Sequence, residues 1–228
     1  MSNGVGPLLS EGSSRHDMKA MLSRLADNAV GHSVAGASEN AGHRVGPNAI
    51  IQTRIALVDA CGADLARHLF AVARLAAWFE TPPENMVSAE AVHRLNMTLL
   101  AHLDGMAFES VMADAGARTG RYILQNRIPA PARYLLQCLP AGLAARALLK
   151  AIRANAWTFA GNARVAVTPG HPAIIEISAN PISVPGCPWH RAVFATLFAR
   201  LLGKPVRVDH RAGFDGGPLD RFMISWKP

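Results

Sequence analysis

The chain divides by the period of its apolar positions. From Pro47 to about Asn155 they recur at helical spacing, and beyond that short β-type runs take over. Ile51, Ile55 and Val58 share one helical face, Gly62 interrupts, and Leu65, Leu69, Val72 and Ala73 resume the pattern up to Trp78. Thr81-Pro82-Pro83-Glu84-Asn85 reads as a loop. Ser88 opens the next helix with Glu90 in its first turn, and Leu95, Leu99, Leu100 and Leu103 carry it to a stop at Asp104-Gly105. Phe108, Val111, Met112, Ala115 and Tyr122 mark a further helix. Pro129, Pro131 and Pro140 then divide two shorter ones around Leu135 and Leu148.

Trp157-Thr158-Phe159, Arg164-Val165-Ala166-Val167 and Ala173-Ile174-Ile175-Glu176-Ile177 are β-type runs, the last two separated by a Pro/Gly turn. A helix follows from Pro188 or Trp189 to about Leu202. It buries Val193, Phe194, Leu197, Phe198, Leu201 and Leu202, and Gly203 stops it. Val206-Arg207-Val208-Asp209 and the run from Arg221 to Trp226 close as strands around a Gly-rich turn at 213–217. Helices first and hairpins last predict an α+β fold. An N-terminal helical layer packs on a C-terminal antiparallel sheet, with a long helix between the sheet hairpins. Residues 1–44, rich in Gly, Ser, Ala and Asn, read as a flexible arm with one short helical pattern at Met18, Met21, Leu22 and Leu25. Residues 45–228 read as a single ligand-binding domain.

Composition adds room for a ligand. Half of the residues are hydrophobic and only 17% are charged, enough for a sizeable core and an apolar pocket. The net charge of +7 favours anionic partners, but the arginines are scattered without a block, so nucleic acid is not expected. The two most apolar stretches are broken by Arg67, Arg74, Arg146 and Lys150, and the N-terminus has no apolar signal core. The expected residence is cytoplasmic. The basic stretch 133–153 suits peripheral contact with a membrane.

Much chemistry is excluded. No GxGxxG, P-loop or GxSxG run is present, and the acidic residues are isolated. Cys61, Cys138 and Cys187 form no CxxC pair. His93 and His102 are nine apart on one predicted helix, out of phase for a shared ligand.

Some candidates remain. Arg118 and Arg121, beside Tyr122, lie three apart, either as a fork for ligand carboxylates or as a solvated helix face. His190 falls at a helix start after Pro185-Gly186-Cys187-Pro188. It reads either as a contact for a ligand's metal or polar group, or as a histidine satisfied by backbone. Cys187 reads as a metal ligand, a reactive thiol or a small buried side chain. Trp157, Phe159, Trp189 and Phe194 could wall a planar ring or fill the core.

Four runs together resemble one family. They are Val45-Gly46-Pro47-Asn48-Ala49-Ile50, Ile128-Pro129-Ala130-Pro131, Ala156-Trp157-Thr158-Phe159-Ala160-Gly161 and Pro185-Gly186-Cys187-Pro188-Trp189-His190. They resemble the J-protein family of bacteriochlorophyll biosynthesis, whose domain is named for 4-vinyl reduction. The resemblance implies an α+β ligand-binding fold shared with sensors of aromatic effectors and with subunits of vesicle-tethering complexes. The implied ligand is a chlorophyll-pathway tetrapyrrole, divinyl protochlorophyllide or a magnesium porphyrin. The implied role is that of a carrier or accessory protein beside magnesium chelatase and Mg-protoporphyrin methyltransferase, at the inner face of the photosynthetic membrane. A homodimer is among the assemblies it allows. One alternative is an 8-vinyl reductase with an external electron donor, since no cofactor motif is present. Another is a sensor of a different aromatic compound, which expects a fused output domain.

On this resemblance Trp189, Phe194, Trp157 and Phe159 stack on the ring, His190 is the axial or polar contact, Arg118 and Arg121 meet acidic groups, and Cys187 and Tyr122 are further ligand-binding candidates. Sensor members of the family hold zinc on a cysteine before the last helix and on Glu, Cys and Cys around the closing hairpin. Cys187 matches the first position, Asp209 replaces the Glu, and Ala212 and Asp220 stand where the hairpin cysteines would be. The resemblance therefore implies no structural zinc. Asp209, Asp220 and His210 remain a weak candidate set for a harder ion.

Overall fold

The computed structural model describes residues 43–213 and 218–227. The predicted pattern at Met18 to Leu25 and the tip of the closing hairpin lie outside them. The first elements are a short strand β1 (Arg44–Val45) and helices α1 (Asn48–Cys61), α2 (Ala63–Val72) and α3 (Ala76–Glu80). After strand β2 (Val87–Ser88) come helices α4 (Ala89–His102), α5 (Gly105–Asn126), α6 (Ala130–Cys138), α7 (Ala141–Ala154) and α8 (Trp157–Ala160). Strands β3 (Arg164–Thr168) and β4 (Ala173–Ser178), helix α9 (Pro188–Leu202) and strands β5 (Val206–Gly213) and β6 (Leu219–Trp226) complete the order. The expected α+β architecture, helices first and an antiparallel sheet last, is what the chain forms.

Several boundaries follow the local signals. Gly62, at φ +84°, ends α1 and starts α2 in a conformation that favours glycine. Gly203, at φ +62°, closes α9. Asp104 does not end α4; its carboxylate accepts from the Ala107 N–H at 2.8 Å and caps α5 instead.

Two readings are corrected. Trp157-Thr158-Phe159 is a helical turn, not a strand. The Asn155 carbonyl takes both the N–H and the hydroxyl of Thr158, and the Thr158 carbonyl accepts from Gly46. These local bonds outweigh β-propensity, which reflects a fit to a pleated surface absent here. The helical run to Trp78 breaks at Arg74, whose φ of 58° turns the chain before α3. In α1 the buried face is Ala49, Ile50, Thr53, Ala56 and Leu57, while Ile51, Ile55 and Val58 are half-buried. The helix is apolar nearly all round, so its periodicity leaves the phase undetermined.

The four-stranded sheet has the order β3-β4-β6-β5, antiparallel throughout. Alternation puts Ile175, Ile177, Phe222 and Ile224 on its buried face. Helix α9 crosses that face, with Phe194 edge-on to Phe222 at 5.2 Å. Its predicted buried residues are all buried, joined by Trp189 and His190.

The other side of α9 meets α5. A Cβ on Gly116 would overlap the Trp189 carbonyl oxygen, and one on Gly120 would stand 2.8 Å from Thr196 Cβ. The two glycines let the backbones touch, and α9 is held between α5 and the sheet. Gly116→Ala must displace backbone, which the packed core resists. It should cost about 1–3 kcal/mol, seen as a lower midpoint in thermal unfolding followed by circular dichroism. An unchanged midpoint would contradict this packing.

Candidate functional site

The turn into α9 places its first side chains deep in the fold. The Cys187 N–H donates to the Val184 carbonyl at 3.0 Å. Gly186 and Cys187 have φ of +74° and +42°, a left-handed pair that reverses the chain. Pro188 then starts the helix with its φ already set and no N–H to satisfy. Trp189 and His190 enter the core at once, and both are buried.

His190 lies in an aromatic cage. Its ring is perpendicular to Trp189 at 5.0 Å and to Phe159 at 6.2 Å, and tilted against Phe222 at 5.6 Å. Burial pushes its pKa down to about 4, against the opposing pull of the Asp220 charge and of a hydrogen bond to the Phe159 backbone. The imidazole is therefore neutral at pH 7. Its Nε2 is buried and has no partner.

A small cavity of about 10 Å³, room for about one water, lies here. Its walls are Ala49 from α1, Val92 and Asn96 from α4, Ile182, Val184 and Cys187 from the β4–α9 connection, and Trp189 and His190. Three of these residues carry buried polar atoms without a partner: Asn96 Oδ1, Trp189 Nε1 and His190 Nε2. Each unmet group costs about 1–3 kcal/mol unless something in the cavity satisfies it. Together they offer an acceptor, an N–H donor and an imidazole nitrogen in an apolar setting.

A polar cluster sits beside the cavity. Ligand-type atoms of Cys187, His210 and Asp220 all lie within 4.8 Å of one another. His210 Nε2 donates to Asp220 Oδ1 at 2.8 Å, and Asn180 Nδ2 donates to Asp220 Oδ2 at 2.8 Å. Burial alone would raise the Asp220 carboxyl; hydrogen bonds from His210, Ser183 and Asn180 outweigh it and hold the pKa at about 2. Burial, then the Asp220 charge, pushes the Cys187 thiol up to about 12, which removes it as a nucleophile at neutral pH.

The predicted trio of Asp209, Asp220 and His210 does not assemble. Strand alternation sends Asp209 to the other face, where Arg207 holds it at 2.9 Å, and Cys187 takes its place. Ala212, across from Asp220 in the β5–β6 ladder, offers no donor. The four-ligand zinc set of the sensors does not fit these residues.

The remaining sequence candidates separate. Phe159 and Phe194 back His190, the latter at 6.2 Å. Trp157 is 46% exposed and outside the cage. Arg118 is held by Asp59 at 2.8 Å and Asp114 at 2.7 Å, and Arg121 reaches Asp114 at 3.8 Å. Neither arginine lines the cavity, nor does the half-buried Tyr122. Asn96 went unread in the sequence. Its signal is a lone amide within the apolar stripe of Val92, Leu95 and Leu99, all buried in α4.

The fold matches solved structures of one class. An Fe(II) unliganded H-NOX protein from K. algicida superposes with a TM-score of 0.56 at 10% identity, over 81% of this chain and 97% of the other. An H-NOX protein of T. tengcongensis gives 0.52 at 12% identity, over 80% and 97%. A third, from work on heme distortion in the H-NOX family, gives 0.51 at 13% identity, over 80% and 95%. At these identities the likeness shows the fold: an α+β domain of H-NOX type.

Sequence relatives are more specific. The chain is 38% identical to the bacteriochlorophyll synthase 23 kDa chain of Cereibacter sphaeroides, over 80% of this chain and 90% of that one. The protein of the same name from Rhodobacter capsulatus is 38% identical over 77% and 84%. No protein-family model matches. The chain belongs to the bacteriochlorophyll synthase 23 kDa chain family, the J-protein family that its four sequence runs resemble.

The buried imidazole gives the fold a pH signature. Its folded pKa of about 4 lies below the ordinary 6.5, so between these values the unfolded chain binds more protons. This stability is complete above 6.5 and is lost as pH falls towards 4. Denaturant unfolding at a series of pH values should show His190→Phe losing less stability than the parent across that window. Parallel profiles would contradict the buried neutral state.

Proposed function

We propose that the cavity at the start of α9 holds a chlorophyll-pathway tetrapyrrole, and that the protein acts as a carrier or accessory in bacteriochlorophyll synthesis. The observation that carries this reading is that Asn96, Trp189 and His190, each with a buried polar atom that has no partner, line one apolar cavity. A neutral imidazole suits a ring-bound magnesium or a polar substituent, and the indole N–H suits a carbonyl or carboxylate. The relatives' name supplies the pathway. The H-NOX family, in which heme distortion has been probed, supplies the precedent for a tetrapyrrole. Arg118 and Arg121 have no part in this reading, because Asp59 and Asp114 already occupy them.

Ligand sites of drug size span about 300–1,000 Å³, so a macrocycle enters a cavity of about 10 Å³ only when its walls move apart. Helix α4, which packs mainly on α2 and little on α5, is the wall that can give way. Bound pigment would be shielded from water and light-driven side reactions, then passed between magnesium chelatase and its methyltransferase.

Titration with magnesium protoporphyrin followed by absorbance tests this. A saturable red shift of the Soret band is expected. His190→Leu should weaken binding at least about tenfold, the scale of one lost polar contact, while Cys61→Ser keeps it. No shift and no co-elution on gel filtration would overturn the reading. The Cys187–His210–Asp220 cluster is proposed to be a hydrogen-bonded lock, not a zinc centre. Elemental analysis of the purified chain should find zinc well below one per chain, and stoichiometric zinc that resists a chelator would contradict it.

A further inference from the structure

We infer that the exposed face of α7, continued by Trp157, is a docking surface for an anionic lipid bilayer. The inference does not depend on the pigment reading, since it uses none of the cavity residues. Helix α7 is anchored on one side by Ala144, Ala145, Leu148, Leu149 and Ile152, all buried. Its opposite side carries Leu143, Arg146, Lys150 and Arg153, which helical spacing gathers on one face and which are all exposed. Trp157, 46% exposed, follows directly beyond the helix end.

The charge here is unbalanced. Between Ala115 and Ile175 the chain has no Asp or Glu but eight Arg and Lys, more than its whole net charge of +7. Among the described residues Arg146, Lys150 and Arg153 enter no ion pair, whereas Arg118, Arg191 and Arg207 are each held by a carboxylate. Three uncompensated cations in a row on a fixed helix attract an anionic surface. The apolar side chains decide which surface. Leu143, 52% exposed, and Trp157 flank the cationic residues along the chain. A bilayer offers phosphates to the cations and a headgroup–acyl boundary to the leucine and the indole, where tryptophan concentrates. An acidic protein or nucleic acid offers the cations a match but does not call for this pairing. Helix α7 lies on such a surface and does not enter it: no helix among the described residues is long and apolar enough to cross a membrane.

Vesicle co-sedimentation of the full chain tests this. Phosphatidylcholine vesicles with and without phosphatidylglycerol are compared at low and high salt. The chain should sediment with the anionic vesicles at low salt, be released by high salt, and leave the neutral ones in solution. Replacing Arg146, Lys150 and Arg153 together by Glu should lower the partition by about a hundredfold, with an unchanged melting midpoint because all three are exposed. Trp157→Ala keeps the charge and should bind more weakly than the parent, with loss of the blue shift in tryptophan emission that vesicles induce. Equal binding by the parent and the triple variant overturns the proposal. So does retention on heparin without binding to anionic vesicles.

Discussion

Helices α5 and α9 run backbone against backbone at Gly116 and Gly120, with no side chain between Gly116 and the carbonyl of Trp189. This approach sets the depth of α9 in the fold. Pressed towards α5 on one side and onto Phe222 and Ile224 on the other, α9 is buried at its start at Pro188, Trp189 and His190. Trp189 and His190 are buried there because the helix is, although neither residue type is a natural core filler. Burial then makes the imidazole neutral and leaves its Nε2 without a partner. The chemistry of the cavity thus follows from a packing constraint on the far side of α9, at the same Trp189 that lines it.

The two polar groups near the turn divide into a satisfied one and an unsatisfied one. Asp220 is surrounded by donors from His210, Asn180 and Ser183, and it fastens the hairpin β5–β6 to the connection that leads into α9. Ser183 of the same network also reaches the Cys187 sulfur at 3.5 Å. On the cavity side, Asn96, Trp189 and His190 face apolar walls with nothing to bond. Satisfied buried networks specify a structure, and unsatisfied groups mark where a ligand completes it.

Much of the fold was legible in the sequence, because its strongest signals agree with tertiary packing. Gly62 and Gly203 mark positions that need positive φ, and the apolar stripe of α9 has one phase only. The failures have physical causes. Trp157 to Phe159 looks like a strand by residue type, but hydrogen bonds from Thr158 to the Asn155 carbonyl and from the Gly46 N–H to the Thr158 carbonyl curl it into a turn. The Cys187–His210–Asp220 cluster was only half visible, because it joins a hairpin diagonal to a residue from another element. The turn before α9 announced His190 and Trp189. The amide of Asn96 could be paired with them only once α4 was placed across the cavity.

The function proposed for the chain turns on one point: a chlorophyll-pathway ring completes the cavity at the start of α9. The most direct measurement is made on the full chain purified in the dark from a host that makes bacteriochlorophyll. Bound pigment is extracted and identified by absorption and mass. The expected result is a tetrapyrrole precursor bound at close to one per chain, and its loss when His190 and Asn96 are both replaced by leucine. Protein that emerges free of pigment from such a host, or that carries an unrelated ligand in the cavity, would contradict it.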